Sequence, residues 1–225
     1  MKITRRQLRR LIFENLGLGN KEVFAHVTAN TGCGKTTLMF QLQDEFPQYT
    51  FFDLDEFGDR ASNLLGWPKN WGTTSWTEEK NEQWQEVQQQ LANEFVETAS
   101  KPVVFFGIHH NTYYGKAIPF FTFDIRHKIL LDIDPKICAE RKFSRDYHKM
   151  KVLPDGSLSG GGTMMKAKWM YPGMDKNDPE IIAKVMKELE KSVHTFNNEV
   201  TDMGYEMRTE DDIRKILMSG YKLNA

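Results

Sequence analysis

Two hydrophobic periods alternate along the chain. In EVFAHVT, residues 22–28, Val23, Ala25 and Val27 fall on one side, which predicts a strand. In KTTLMFQLQDEF, residues 35–46, Leu38, Met39 and Leu42 recur at helical spacing until Pro47 ends the pattern. YTFFDLDEF is a short apolar run ending in acids and predicts a buried second strand over 49–53. Residues 58–77 are rich in Gly, Asn and Trp and read as irregular, with Trp67, Trp71 and Trp76 covering the sheet. Trp84, Val87, Leu91 and Phe95 stripe a helix over 77–100.

KPVVFFGI predicts a third strand at 102–107 and HKILLDID a fourth at 128–133, after which Pro135 opens a helix over 135–150. Residues 151–177 hold PDG, SGGG and YPGM and are too polar and glycine-rich for core. Ile182, Val185, Met186, Leu189, Val193, Phe196 and Val200 share one face of a helix over 178–200. GYEMRT predicts a fifth strand and EDDIRKILMSG a closing helix. Strands alternating with helices imply an α/β fold, a parallel sheet of about five strands with helices on both faces. Ligands of such sheets bind beyond the carboxyl ends of the strands.

The first strand and helix enclose ANTGCGKTT, residues 29–37. A phosphate loop reads G-x-x-x-x-G-K-[ST]. Gly34, Lys35 and Thr36 fit that pattern, and Ala29 stands where the first glycine belongs. One methyl costs little if φ is negative and about 1 kcal/mol or more if it is positive. Ala29, Asn30, Thr31, Gly32, Cys33, Gly34, Lys35, Thr36 and Thr37 are therefore the candidate nucleotide-binding residues. Backbone N–H groups at the helix N-terminus would hold phosphate, Lys35 would reach the β- and γ-phosphates, and the Thr36 hydroxyl would face Mg²⁺.

Composition narrows the setting. Lys plus Arg number 30 and Asp plus Glu 31, so net charge points to neither nucleic acid nor membrane. No apolar run is long enough to span a bilayer. Two cysteines, Cys33 and Cys138, make no disulfide framework and lack metal-ligand neighbours, which suits a reducing cytoplasm.

Asp53 and Asp55 end the second strand on the edge where the phosphate loop lies. Their i, i+2 spacing in extended chain points both carboxylates to one side. Asp53 is assigned to the Mg²⁺ side and Asp55 to the general base that takes an acceptor's proton, two roles open to exchange. At this point the chain resembles the P-loop small-molecule kinases, the shikimate, gluconate and adenylate kinases and their nucleoside-kinase relatives. Asp53-Leu54-Asp55 matches the D-x-D of the shikimate type. Arg141 and Arg145, in ILLDIDPKICAERKFSRD, match the R-x-x-x-R at the base of a lid, and 151–177 takes the lid's place. VVFFGIHH departs from the family's third-strand glycines, offering Gly107 alone.

The resemblance implies a three-layer P-loop NTPase fold over 18–225, using ATP or GTP with Mg²⁺. It implies transfer of the γ-phosphate to a small hydroxyl- or phosphate-bearing acceptor, a nucleoside, nucleotide or sugar-like compound. Lys35, Asp55, Arg141 and Arg145 are its catalytic candidates, and guanidinium groups suit charge spread over phosphoryl oxygens. On a solvated helix face the same arginines would only pair with Glu140 and Asp146. His109 and His110 follow the third strand and would line the acceptor pocket or serve as polar loop residues.

Residues 1–17, MKITRRQLRRLIFENLG, predict a separate basic amphipathic helix, with Leu8, Leu11, Ile12 and Leu16 on one face. It packs on the domain or serves as a docking or localisation tag. It resembles leaders of marine tailed-phage proteins, which would place the chain in a host cell's cytoplasm. That helix leaves room for a kinase of nucleic-acid ends or modified bases. A nucleotide-binding or virion-associated protein without turnover is the remaining alternative.

Overall fold

All six residues of β1 (Val23–Thr28) are buried, the polar His26 and Thr28 with the apolar ones. A central strand covered on both faces gives this pattern. The computed structural model describes residues 22–67, 77–108, 110–113, 116–119, 123–146, 151–152, 158–159 and 177–222. The helix expected at 1–17, Trp71, Trp76, His109 and most of 151–177 lie outside them.

β1 pairs in parallel with β3 (Val103–Phe106) on one side and β6 (Ile125–Leu131) on the other. β2 (Thr50–Asp53) adds to β3, and β9 (Glu206–Arg208) adds to β6. The order β2-β3-β1-β6-β9 is a five-stranded parallel sheet, as the alternation of strands and helices predicts. α1 (Lys35–Glu45), α4 (Pro135–Asp146), α5 (Pro179–Asp202) and α6 (Glu210–Lys222) carry Leu38, Leu42, Cys138, Val193, Ile213 and Leu217 into one core. α2 (Asp55–Leu64) and α3 (Glu78–Thr98) carry Phe57, Ala92 and Val96 into a second, against Phe52 and Phe105 of the sheet. Two short antiparallel hairpins stand apart from the sheet: β4 (His110–Tyr113) with β5 (Lys116–Pro119), and β7 (Lys151–Val152) with β8 (Leu158–Ser159).

Three sequence expectations are corrected. Residues 55–64, read as strand end and irregular segment, form α2. Its buried face is Phe57, Gly58, Ala61 and Ser62, too small and mixed to register as a hydrophobic stripe. The small residues admit α3: a Cβ on Gly58 would lie 3.0 Å from the Trp84 ring, and Trp84 Nε1 donates to Gly58 O at 3.1 Å and Ser62 Oγ at 3.0 Å. β6 begins at Ile125 rather than 128 and ends at Leu131, because Val23 pairs with Ile125. Cys33 and Cys138 are joined, with Cα atoms 4.7 Å apart and 105 residues between them. The bond ties the turn after β1 to α4, and the inference of a reducing compartment from unpaired cysteines loses its premise.

α6 closes on the face of β1 through Gly220. A Cβ there would meet the Phe24 ring and lie 2.6 Å from Tyr49 Oη, whose hydroxyl donates to Leu217 O at 2.8 Å. Helix propensity favours alanine over glycine by about 1 kcal/mol. The clash outweighs it, and Gly220→Ala is expected to destabilise by about 1–3 kcal/mol in chemical denaturation. Equal or greater stability would show that α6 does not seat this closely.

Candidate functional site

The carboxyl ends of β1, β2 and β3 converge on one edge of the sheet. From β1 the chain turns through residues 29–34 into α1, and two glycines make the turn. Gly32 has φ 90° and Gly34 φ 86°, left-handed conformations in which a side chain is strained. Gly34 is the N-cap of α1, and Leu38 N–H donates to Gly34 O at 3.0 Å. Ala29 is buried within the main core, so its methyl is packing material rather than an obstruction. Buried Asn30 fixes the loop to α5 by donating from Nδ2 to Ser192 O at 3.2 Å.

Lys35 folds back along the loop. Its Nζ donates to Ala29 O at 2.7 Å and to Asn30 O at 3.1 Å. Burial pulls the Lys35 pKa down to about 8, Asp55 and Asp53 oppose that fall, and Arg145 and Lys142 reinforce it. The ammonium is thus the centre of a charged group drawn from three segments.

Asp53 ends β2 opposite Phe106 in β3. Its Oδ2 accepts from the Thr36 hydroxyl at 3.3 Å, and its Oδ1 accepts from Asp55 N–H at 3.1 Å. One carboxylate therefore joins the first turn of α1 to the first turn of α2. Asp55 does not extend the strand, as the i, i+2 argument requires. Leu54 takes helical φ −62° and ψ −25°, and Asp55 is the first residue of α2. Burial raises the Asp55 pKa, Asp53 adds to the rise, and Lys35 opposes it. Gly107, at φ 135° just beyond β3, lets β2 and β3 end side by side: a Cβ there would lie 2.9 Å from Leu54 Cβ.

Of the arginines on α4, Arg141 reaches the loop, since a Cβ on Gly34 would lie 3.2 Å from its Nη1. Arg145 lies flat on Asp146 with two hydrogen bonds of 2.7 Å, one from Nε and one from Nη2. The two residues four apart thus do different things. Sequence reasoning missed Lys142, buried between them, and named Asp146, which is also buried, as a partner on a solvated face. Charged residues on a helix read as solvated, and the one signal for Lys142 was its position inside the R-x-x-x-R segment. His110 belongs to β4, and its side chain, like all of His109, lies outside the described residues.

The residue types fit Mg²⁺ and a nucleotide. A hydroxyl and a carboxylate oxygen converge at Thr36 and Asp53, hard donors of the kind Mg²⁺ takes beside phosphates and water. Among the described residues no three His, Cys, Asp or Glu gather into a metal cluster of another kind. No described helix is long and apolar enough to cross a membrane.

No curated protein matches the chain. Among solved structures, a gluconokinase from Sinorhizobium meliloti 1021 is similar at 13% identity, over 78% of this chain and 96% of that one, with a TM-score of 0.30. That distance transfers no residue role. The AAA domain family matches residues 26–159, from within β1 to the end of β8 and including the whole phosphate loop. With a five-stranded parallel sheet and a glycine-turned loop between its first strand and helix, the chain belongs to the AAA domain family and is a nucleotide-binding P-loop protein.

Proposed function

We propose that the protein is an ATP-dependent phosphotransferase that moves the γ-phosphate to a small acceptor bearing a hydroxyl or phosphate. The observation that carries this reading is the convergence of Lys35, Thr36, Asp53 and Asp55 on one sheet edge. A loop for phosphate alone needs only the first two. A second acid beside it, held toward its protonated form, suits an acceptor's proton.

In this reading the backbone N–H groups of residues 32–36 and the Lys35 ammonium hold the phosphates. Thr36 and Asp53 would hold Mg²⁺, which when bound neutralises phosphate charge. Asp53 also fixes the start of α2, so the residue on the metal side sets where Asp55 stands. Asp55 orients the acceptor hydroxyl and takes its proton. Arg141, over Gly34, stabilises charge spread on the phosphoryl oxygens, and Arg145, anchored on Asp146, adds to the same field. Transfer to water, simple ATP hydrolysis, is the competing outcome for a member of this family.

Incubation with γ-labelled ATP, Mg²⁺ and a panel of nucleosides, nucleotides, oligonucleotides and sugar acids tests the proposal. Label is expected on one acceptor class and is expected to vanish in Lys35→Ala. Label found solely as inorganic phosphate would replace the transferase reading with an ATPase.

Asp55→Asn is nearly isosteric and is expected to keep nucleotide binding while losing about 10²–10⁴-fold in kcat with a hydroxyl acceptor. Unchanged turnover would remove the general-base role and favour an acceptor phosphate, which needs no base.

The pH dependence follows from Lys35. The protonated amine is the form that attracts phosphate, and the free protein loses that proton as pH rises through about 8. Bound phosphate restores it, so affinity falls above that pH and binding takes up protons. Calorimetry of MgATP binding in buffers of different ionisation enthalpy is expected to show uptake rising from near zero at about pH 7 to roughly one proton at about pH 9. Uptake that stays flat would contradict a phosphate-facing Lys35.

A further inference from the structure

We propose that Lys142 is a second phosphate-holding lysine of this site and takes part of the polyphosphate chain of a bound nucleoside triphosphate. The proposal rests on the nucleotide-binding reading and adds a residue to it from outside the loop.

Three observations carry it. The first is position. A Cβ on Gly32 would lie 3.1 Å from Lys142 Cβ and 3.3 Å from its backbone N, so the root of the lysine side chain packs on the middle of the phosphate loop. The second is burial. Lys142 is 2% exposed, rare for a lysine, whose four-carbon stem ordinarily carries its ammonium to water. Burial lowers its pKa, and Asp146, one helical turn on, opposes the fall. The third is charge balance. Both Asp146 oxygens already accept hydrogen bonds from Arg145. Lys142 also lies near enough to Lys35 to disfavour its charge.

Four cations, Lys35, Arg141, Lys142 and Arg145, thus gather at the loop. Among the described residues the carboxylates that act on these lysines are Asp53, Asp55 and Asp146, three against four cations. The surplus is positive. A buried cation short of counter-charge is costly to keep, and a polyphosphate supplies several negative charges at that place. A lysine serving Asp146 alone would be a structural ion pair. Its removal would lower stability and leave phosphate affinity untouched.

Lys142→Met keeps the stem and removes the charge. Calorimetry with MgATP and with inorganic tripolyphosphate is expected to show about 10–100-fold weaker binding of both. The thermal midpoint is expected to hold or rise. Affinity within about threefold of wild type would overturn the proposal. Lys35→Ala serves as the separate arm. If wild type binds neither probe, or Lys35→Ala binds both normally, the phosphate-loop reading itself fails. Binding lost in Lys35→Ala and kept in Lys142→Met sinks only the role of Lys142.

If Lys142→Met does not fold, an acyl-phosphate derivative of ATP decides on the wild-type protein. A lysine amine beside the phosphates attacks the acyl carbonyl, an amide forms and ATP leaves. Acylation of both Lys35 and Lys142, blocked by excess ATP and read by peptide mass spectrometry, supports the proposal. Acylation of Lys35 without Lys142 overturns it.

Discussion

Lys35 is a half-buried lysine whose ammonium is held by two carbonyls of its own loop, Ala29 O and Asn30 O. Much of the site is organised around that contact. Gly32 and Gly34 take left-handed conformations, which turn the chain beyond those carbonyls into the N-terminus of α1, where backbone N–H groups suit phosphate. The loop can make this turn because β1 is a fully buried central strand whose end is fixed on both sides, by β3 and by β6. The parallel sheet thus serves the site by holding one strand end still.

Two partners complete the setting from opposite sides. Asp53, at the end of β2, bonds to Thr36 and to the first turn of α2. α4 packs onto the loop from the other side so closely that Gly32 faces the Lys142 stem and Gly34 faces the Arg141 guanidinium, while Cys33 is bonded to Cys138. The glycines therefore satisfy two constraints at once, backbone conformation and the approach of a cationic helix. Ala29, at the start of the turn, packs into the core.

Where each element's signal was local, the sequence made it legible. Pro47 ended α1, Pro135 opened α4, and Asp178 caps α5 through its carboxylate on Glu180 N–H, so the βα alternation and the parallel sheet followed. α2 was hidden because its buried face is Phe57 and three small residues, and only packing against Trp84 makes it a helix face. Asp55 was misplaced by one torsion: Leu54 turns helical where an extended chain was assumed. The charged residues buried at the loop and the Cys33–Cys138 bond depend on contacts across more than a hundred residues, which no local pattern encodes. The loop residues were legible, and the α4 surface that faces them was legible only at Arg141 and Arg145.

A crystal structure with a non-hydrolysable ATP analogue and Mg²⁺ tests the central claim most directly. The account predicts the β-phosphate on the N–H groups of residues 32–36, the Mg²⁺ ion on the Thr36 hydroxyl near Asp53, and Lys35 Nζ moved from the Ala29 and Asn30 carbonyls to phosphate oxygens. A nucleotide seated elsewhere, with Lys35 still on those carbonyls, would contradict it.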